Sequence, residues 1–274
     1  MAQLEQRQAN GIFYREGAPD TDGGLVPALC LHGFPETSYM WRHVLEALAR
    51  SGRRGIAPDL PGFGDSPPDP PGTWERQVDA VERFRRELGL ERVALIVHDW
   101  GGLIGLRWAC EHPSDVAALV LSNTGFFADG KWHGMARALR TPEEGERLVA
   151  EMDREGFGQM LAAVSRGIDA TVASEYWKTF ESAAGRQGIL ELYRSGDFEK
   201  LVAYDGRLGE LNVPTLVLWG ENDLFAPVAG AYRFKREIPQ AELVVLKDAG
   251  HFVYADEPQR CATVIVDFLA AAEI

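Results

Sequence analysis

Short apolar runs alternate along this chain with longer stretches in which apolar residues recur every three or four positions. The first pattern is typical of a buried parallel strand, and the second is typical of an amphipathic helix. Buried strands are predicted at residues 28–31, 54–57, 93–97, 116–121, 213–219 and 243–246. Helices are predicted at residues 39–48, 73–88, 103–110, 228–237 and 258–272. The alternation indicates an α/β fold with a mostly parallel, doubly wound sheet.

The pattern changes in two places. Asn10-Gly11 is a hairpin signal, so residues 3–16 are predicted to form an antiparallel pair at the sheet edge. From about residue 124 to 212 the alternation stops, and amphipathic helices with scattered aromatic residues follow. Ligands are expected between this inserted helical cap and the carboxyl ends of the strands. The predicted organisation is a first core part (1–123), a helical cap (124–212) and a second core part (213–274).

Composition limits the possible partners and the compartment. The net charge of −13 argues against binding to nucleic acid or to an anionic membrane. The three cysteines, Cys30, Cys110 and Cys261, lie in apolar runs and are interpreted as reduced core residues of a cytoplasmic protein. The N-terminus is too polar for a signal peptide, and no apolar run approaches the roughly 20 residues that span a bilayer. The six histidines show no metal-ligand spacing, and the oligomeric state is left open.

The strand at 93–97 passes into a helix through Val97-His98-Asp99-Trp100-Gly101-Gly102. Such an abrupt turn strains the backbone at its tip and requires small neighbours. Asp99 stands at the tip. A carboxylate is already ionised at neutral pH, so Asp99 could attack an electrophilic carbon directly and become an alkyl ester. A simple helix N-cap is the alternative role, but an N-cap alone does not require the flanking glycines.

Two further residues suit the hydrolysis of such an ester. His251 follows the last predicted strand, and Asp223 follows the strand at 213–219. His251 in its neutral form would activate water, and Asp223 would orient its imidazole ring. Glu221 is the competing carboxylate.

With these motifs, residues 25–123 and 213–270 resemble the α/β-hydrolase superfamily in its aspartate-nucleophile branch, which holds epoxide hydrolases and haloalkane dehalogenases. The resemblance implies the α/β-hydrolase fold, the catalytic triad Asp99, Asp223 and His251, and no cofactor or metal. The family's Gly-x-x-Asp pattern with a following Pro favours Asp223 over Glu221.

The segment His32-Gly33-Phe34-Pro35 also matches this superfamily. The resemblance implies an oxyanion hole formed by the backbone N–H groups of Phe34 and Trp100. A tight turn there predicts a cis Phe34–Pro35 bond.

The two families differ in how they stabilise the leaving group. Epoxide opening leaves an alkoxide that needs acidic donors, usually two tyrosines, whereas a halide is bound by indole or amide N–H groups. Tyr193 resembles one epoxide-opening tyrosine, and Tyr176 is the candidate for its partner. Trp100 occurs beside the nucleophile in both families, and Trp132 or Trp177 could supply a second indole.

We therefore predict a hydrolase that acts on a small apolar organic substrate with water through an aspartyl ester. The His-Gly-Phe-Pro segment and Tyr193 favour an epoxide hydrolase. The segment Ser38–Arg42 resembles haloalkane dehalogenases, so that activity remains the alternative. A non-catalytic ligand receptor on the same fold is the alternative from another class, although a binding protein has no need of a base.

Overall fold

One eight-stranded sheet runs through the protein, whose computed structural model describes residues 4–21 and 23–274. The strands are β1 (Glu5–Ala9), β2 (Ile12–Gly17), β3 (Ala28–Leu31), β4 (Gly55–Pro58), β5 (Val93–His98), β6 (Val116–Ser122), β7 (Thr215–Gly220) and β8 (Glu242–Leu246). They lie in the order β1-β2-β4-β3-β5-β6-β7-β8. The pairs β1–β2 and β2–β4 are antiparallel, and every other neighbouring pair is parallel. The fold class predicted from the apolar runs is thus confirmed.

Helices connect these strands. The first part of the chain contains α1 (Arg42–Arg50), α2 (Trp74–Glu87) and α3 (Trp100–Glu111). Between β6 and β7 lie α4 (Gly134–Arg140), α5 (Glu144–Glu151), α6 (Arg154–Val164), α7 (Ala170–Trp177), α8 (Ala183–Ser195) and α9 (Arg207–Glu210). After β7 come α10 (Ala229–Glu237), α11 (Val253–Asp256) and α12 (Pro258–Ala271). We call residues 124–212 the helical insert.

Local sequence accounts for several of these boundaries. Asn10 and Gly11 have φ values of 49° and 78°, which suit the tight turn of the β1–β2 hairpin. Gln3, the first residue of the predicted hairpin, lies outside the described residues. Thr73 caps α2 by accepting a hydrogen bond from the Arg76 amide.

Two helices depart from the prediction. The helix expected at 39–48 begins as a 3₁₀ turn, Ser38–Trp41, before α1. The four-residue α11 was not predicted, because so short a segment shows no helical period.

The core lies on both faces of the central strands, which explains their uninterrupted apolar runs. Every residue of β3, β5, β6 and β7 is buried. The cysteines are buried free thiols, as expected from their apolar surroundings. No helix in the described part of the chain is long and apolar enough to cross a membrane.

Candidate active site

Asp99 occupies the turn between the end of β5 and the start of α3. Its φ of 49° and ψ of −121° lie outside the conformations that most residues adopt, as the predicted elbow requires. The surrounding backbone is packed too closely for larger residues. A Cβ atom added to Gly33 would lie 2.3 Å from the Asp99 Cβ, and one added to Gly101 would lie 2.2 Å from the Leu31 carbonyl oxygen.

Backbone and charged groups fix the Asp99 carboxylate. The Phe34 amide donates to Oδ1 at 2.8 Å, and the Thr124 hydroxyl donates to the Asp99 carbonyl at 2.7 Å. Burial disfavours the charged form, but His251 and the Phe34 amide outweigh it and lower the pKa of Asp99 to about 2. Asp99 is therefore a carboxylate at neutral pH.

The two predicted oxyanion-hole residues differ in their contact with this carboxylate. Phe34 already contacts Oδ1, and its peptide bond to Pro35 is cis, as expected. Trp100 is the first residue of α3, where an amide has no partner within the helix. An oxyanion hole formed by these two amides remains a proposal.

His251 lies between the two aspartates. Its Nδ1 is 2.8 Å from the Asp223 Oδ2, and its Nε2 is 3.5 Å from the Asp99 Oδ2. The Phe225 and Ala226 amides donate to Asp223 Oδ1 at 2.7 and 2.8 Å. These contacts hold the Asp223 carboxylate against the imidazole ring.

The choice between Asp223 and Glu221 is also visible in the structure. Asp223 is 6% exposed and contacts His251, whereas Glu221 is exposed. The triad geometry expected from chain order is therefore present, and its catalytic role remains a proposal.

The protonation state of His251 differs from the neutral base expected for ester hydrolysis. Burial opposes its charged form, but the Asp223 and Asp99 carboxylates outweigh burial and hold the pKa of His251 well above its ordinary value. The two carboxylates thus favour the imidazolium form of His251 in the resting protein. Esterification would remove the charge of Asp99 and with it part of this shift.

Three residues around the triad were missed in the sequence. Asn123 Nδ2 donates to Asp223 Oδ2 at 2.8 Å. Glu36 is 1% exposed, and its Oε2 lies 3.4 Å from His98 Nε2. Burial raises the pKa of Glu36 to about 8, and burial lowers the pKa of His98 to about 3. In the sequence, the only visible feature was an acid directly after the Phe34-Pro35 turn. Its burial, which is unusual for a glutamate, is a finding of the structure.

Two cavities meet at Asp99. The larger, about 400 Å³, is open to solvent and is bordered by Asp99, Trp100, Trp132 and Tyr193 among others. The smaller, about 40 Å³, is lined by Asp99, His251 and Tyr193 together with apolar side chains. The larger has the size of a small-molecule site, and the smaller has room for water.

Two of the four predicted leaving-group residues line these cavities. Tyr193 lines both, and its ring packs edge-on against Trp100 with centroids 5.2 Å apart. Burial raises the pKa of Tyr193 well above its ordinary value, and a side-chain hydrogen bond with Trp100 acts in the opposite direction. Trp132 lines the larger cavity and stacks on Trp100 at 5.4 Å.

The other two lie elsewhere. Tyr176 is buried near Glu36, Tyr39 and Arg42 and lines neither of the two cavities at Asp99. Trp177 stacks on Phe180 with centroids 5.4 Å apart and also lines neither cavity. The expectation that either could contact the leaving group is not supported, because both side chains pack inside the structure instead.

His133 is a further cavity residue that the sequence did not reveal. It lines both cavities and caps α4, with Nδ1 accepting from the Ala136 amide at 3.4 Å. Burial lowers the pKa of His133, which favours the neutral ring. Because Nδ1 is the acceptor, the proton of the neutral ring belongs on Nε2. His133 thus offers an N–H donor that its capping role does not use.

One group of metal-ligand side chains occurs in the described residues, away from Asp99. It consists of Glu82, His112 and Asp115. Arg85 lies 2.9 Å from Glu82 and 3.0 Å from Asp115, so the carboxylates are already neutralised by a guanidinium group. The donor set therefore does not fit a metal ion.

This geometry agrees with what the chain resembles in sequence. Residues 27–258 match the family model of the α/β hydrolase fold. The chain belongs to this family. A cis-3-alkyl-4-alkyloxetan-2-one decarboxylase from Xanthomonas campestris is 30% identical, with 97% of this chain and 94% of the relative covered. Epoxide hydrolase 3 from Siraitia grosvenorii is 31% identical over 88% of this chain and 90% of the relative.

Solved α/β hydrolase structures extend the comparison to the fold. A haloalkane dehalogenase from Bradyrhizobium elkani superimposes with a TM-score of 0.84 at 25% identity, covering 99% of this chain and 98% of that chain. The protein is thus a hydrolase of the epoxide hydrolase and haloalkane dehalogenase type. This assignment favours an enzyme over the non-catalytic ligand receptor.

Proposed function

We propose that this α/β hydrolase converts epoxides to vicinal diols through an ester of Asp99. The supporting observation is the position of Tyr193, which lines both cavities at Asp99 and packs edge-on against Trp100 with ring centroids 5.2 Å apart. The Trp100 indole N–H can only donate, so it favours a Tyr193 whose oxygen accepts and whose own proton is left for the substrate. The phenol is thus an acid at the place where an epoxide oxygen leaves.

In the first step, the Asp99 carboxylate attacks a ring carbon and the C–O bond of the epoxide breaks. The leaving oxygen takes the proton of Tyr193, and His133 Nε2–H supplies a second hydrogen bond to it. The loss of the Asp99 charge then lowers the pKa of His251, which can give up its proton and act as a base.

In the second step, neutral His251 takes a proton from water, and the resulting hydroxide attacks the Asp99 ester carbonyl. The Phe34 and Trp100 amides stabilise the oxyanion, while Asp223 stabilises the imidazolium. The ester C–O bond breaks, and the released alkoxide takes the proton that His251 received from water. The Asp99 carboxyl group passes its new proton to His251, and the Tyr193 phenolate recovers from solvent the proton that His251 gave up after the first step. The sum is epoxide plus water to diol.

Haloalkane dehalogenation is the second candidate. Trp100 and Trp132 both line the cavity at Asp99, and indole N–H groups can bind a halide. The Tyr193 ring packed against Trp100 and the lack of a donor on the Phe34 side chain make this candidate the weaker one.

The test uses the mass of a trapped intermediate. His251→Phe should form the ester but fail to hydrolyse it, so intact-protein mass identifies the first step. Epoxides, haloalkanes and a 3,4-dialkyl-oxetan-2-one, the ring named for one relative, are incubated separately. An epoxide adds its whole mass, whereas a haloalkane adds its mass less that of the hydrogen halide.

An epoxide adduct that is absent in Asp99→Ala supports the proposal. A dehalogenated adduct would transfer the function to the second candidate. An adduct with the lactone alone, or with none of the compounds, would refute epoxide opening.

A further inference from the structure

The larger cavity carries positive charge in a protein that is strongly acidic. Lys131, Arg233 and Arg236 all border it, while Asp99 is the one carboxylate among its lining residues. The chain as a whole has 41 acidic and 28 basic residues. The sign of charge at this opening is therefore the reverse of the sign of the whole protein.

Helix geometry directs two of these cations to the cavity. Ala229, Arg233 and Arg236 are spaced four and three residues apart on α10, which places them on one helix face, and all three line the cavity. Lys131 comes from the segment between β6 and α4. The cations thus reach the cavity from both the core and the helical insert.

Only one of the three cations is neutralised. Arg233 lies 2.5 Å from Asp129 and 3.1 Å from Glu237, and it also covers the Phe127 ring at 3.9 Å. Across the described part of the chain, Arg236 and Lys131 form no ion pair within 4.0 Å. Both are exposed. Two cations without an ion pair within 4.0 Å consequently face solvent at the edge of the cavity, and one of them, Lys131, also acts on the carboxylate of Asp129.

The walls between these cations and Asp99 are largely apolar. Leu103, Phe127, Trp132, Phe198 and Phe225 all line the cavity. A ligand that fills it would therefore bury an apolar body and place its far end beside Arg236 and Lys131. A carboxylate at that end suits the planar fork of an arginine.

We propose that the substrate is an amphiphile with a carboxylate remote from its reactive carbon, held by Arg236 and Lys131. The term substrate rests on the proposed function, but the carboxylate site does not depend on the chemistry at Asp99. The substrate proposed here differs from the small apolar substrate predicted from the sequence by having a charged end.

Arg236 also has an ordinary structural explanation, and the experiment must distinguish this explanation from ligand binding. Arg236 lies in the last turn of α10, where a positive charge stabilises the helix dipole. That role changes thermal stability but does not discriminate between two ligands of equal length. Ligand discrimination is therefore the required readout.

The experiment measures binding to the full-length Asp99→Asn protein, in which no turnover occurs. A medium-chain alkanoate and the primary amide of the same chain length are titrated by calorimetry at low salt. We expect the alkanoate to bind roughly fivefold more tightly than the amide, the scale of one or two partly exposed charge pairs, and the preference to shrink with added salt.

Charge reversal provides the decisive comparison. Lys131→Glu with Arg236→Glu should abolish the preference for the alkanoate and leave amide binding unchanged. Arg147→Glu is the matched control, because Arg147 is exposed on α5 and does not line the cavity. The preference should persist in this control.

Equal affinity for alkanoate and amide, undetectable alkanoate binding, or a preference that survives the double reversal would each overturn the carboxylate site. The trapped-ester experiment is independent of this result. If the alkanoate preference is absent but an epoxide adduct forms, only the carboxylate site is refuted. If the preference is present but no epoxide adduct forms, only epoxide opening is refuted.

Discussion

Asn123 and His251 hydrogen-bond to the same oxygen of Asp223, each at 2.8 Å. Asn123 directly follows β6 and has a φ of 44°, a conformation that Asn and Asp tolerate better than most residues. The two side chains differ only in exchanging an amide for a carboxylate. The triad acid could therefore be moved from one position to the other with little change in shape.

This exchange gives the first prediction. Asp223→Asn should lower turnover by a factor on the order of 10³–10⁴, because His251 loses the charge that stabilises its imidazolium. Adding Asn123→Asp should recover about tenfold or more of that loss, measured as the rate of ester hydrolysis. Asn123→Asp alone should be harmful, since it places two buried carboxylates side by side. A double variant no better than Asp223→Asn would show that position 123 cannot serve His251.

The second prediction concerns the pKa of His251. Asp99→Asn removes one of the two carboxylates that raise this pKa, so the pKa should fall. Asp223→Asn should lower it further, because the contact with Asp223 is the shorter one. NMR titration of the imidazole measures both shifts. Glu221→Gln is the control and should leave the titration unchanged.

The third prediction uses the buried carboxyl group of Glu36. Its pKa of about 8 in the folded protein lies above the ordinary value of 4.5, so ionisation costs free energy in the folded state alone. Its contribution to the unfolding free energy is thus complete below pH 4.5 and is lost as the pH rises through about 8.

Glu36→Gln cannot ionise and should escape this loss. Its stability relative to the unmodified protein should increase across that window by roughly 2 kcal/mol, within the limit of about 1.4 kcal/mol per pKa unit. Denaturant unfolding at a series of pH values measures the difference. Glu151→Gln, at an exposed position, should show no such change. Parallel pH curves for Glu36→Gln and the unmodified protein would contradict the assignment.

The fourth prediction tests Tyr193 as the acid of the first step. In the His251→Phe background, Tyr193→Phe should slow formation of the epoxide adduct by about 10²–10⁴, because the alkoxide loses its proton donor. Formation of the adduct is followed by quenching the reaction at set times and measuring the intact-protein mass. Tyr232→Phe, at an exposed tyrosine, is the control. An unchanged rate in Tyr193→Phe would remove Tyr193 from the mechanism.

The fifth prediction distinguishes donation from packing at His133. His133→Leu should slow the same step by roughly tenfold, the effect of losing one hydrogen bond to a charged oxygen. His133→Gln retains an N–H donor and should recover most of the rate. Equal losses in both variants would assign His133 a structural role only.

The sequence by itself determined the parallel sheet, the elbow at Asp99 and the chain order of Asp99, Asp223 and His251. Each depends on local information: apolar runs mark buried strands, and a strand–Asp–Gly–helix junction allows few backbone paths. Strand ends of a parallel sheet meet at one edge, so residues that follow different strands converge without any knowledge of packing.

Which side chains of the helical insert line the cavities could not be predicted from the sequence. Tyr176 and Tyr193 both lie on amphipathic helices, and only the tertiary structure showed that Tyr193 lines the cavities while Tyr176 is packed away from them. The roles of Asn123, Glu36 and His133 likewise depend on contacts with residues distant in the chain. Helical period specifies which face of a helix is buried, but it does not specify which neighbour that face meets. The choice of leaving-group donors was therefore decided by packing between elements, which no local pattern encodes.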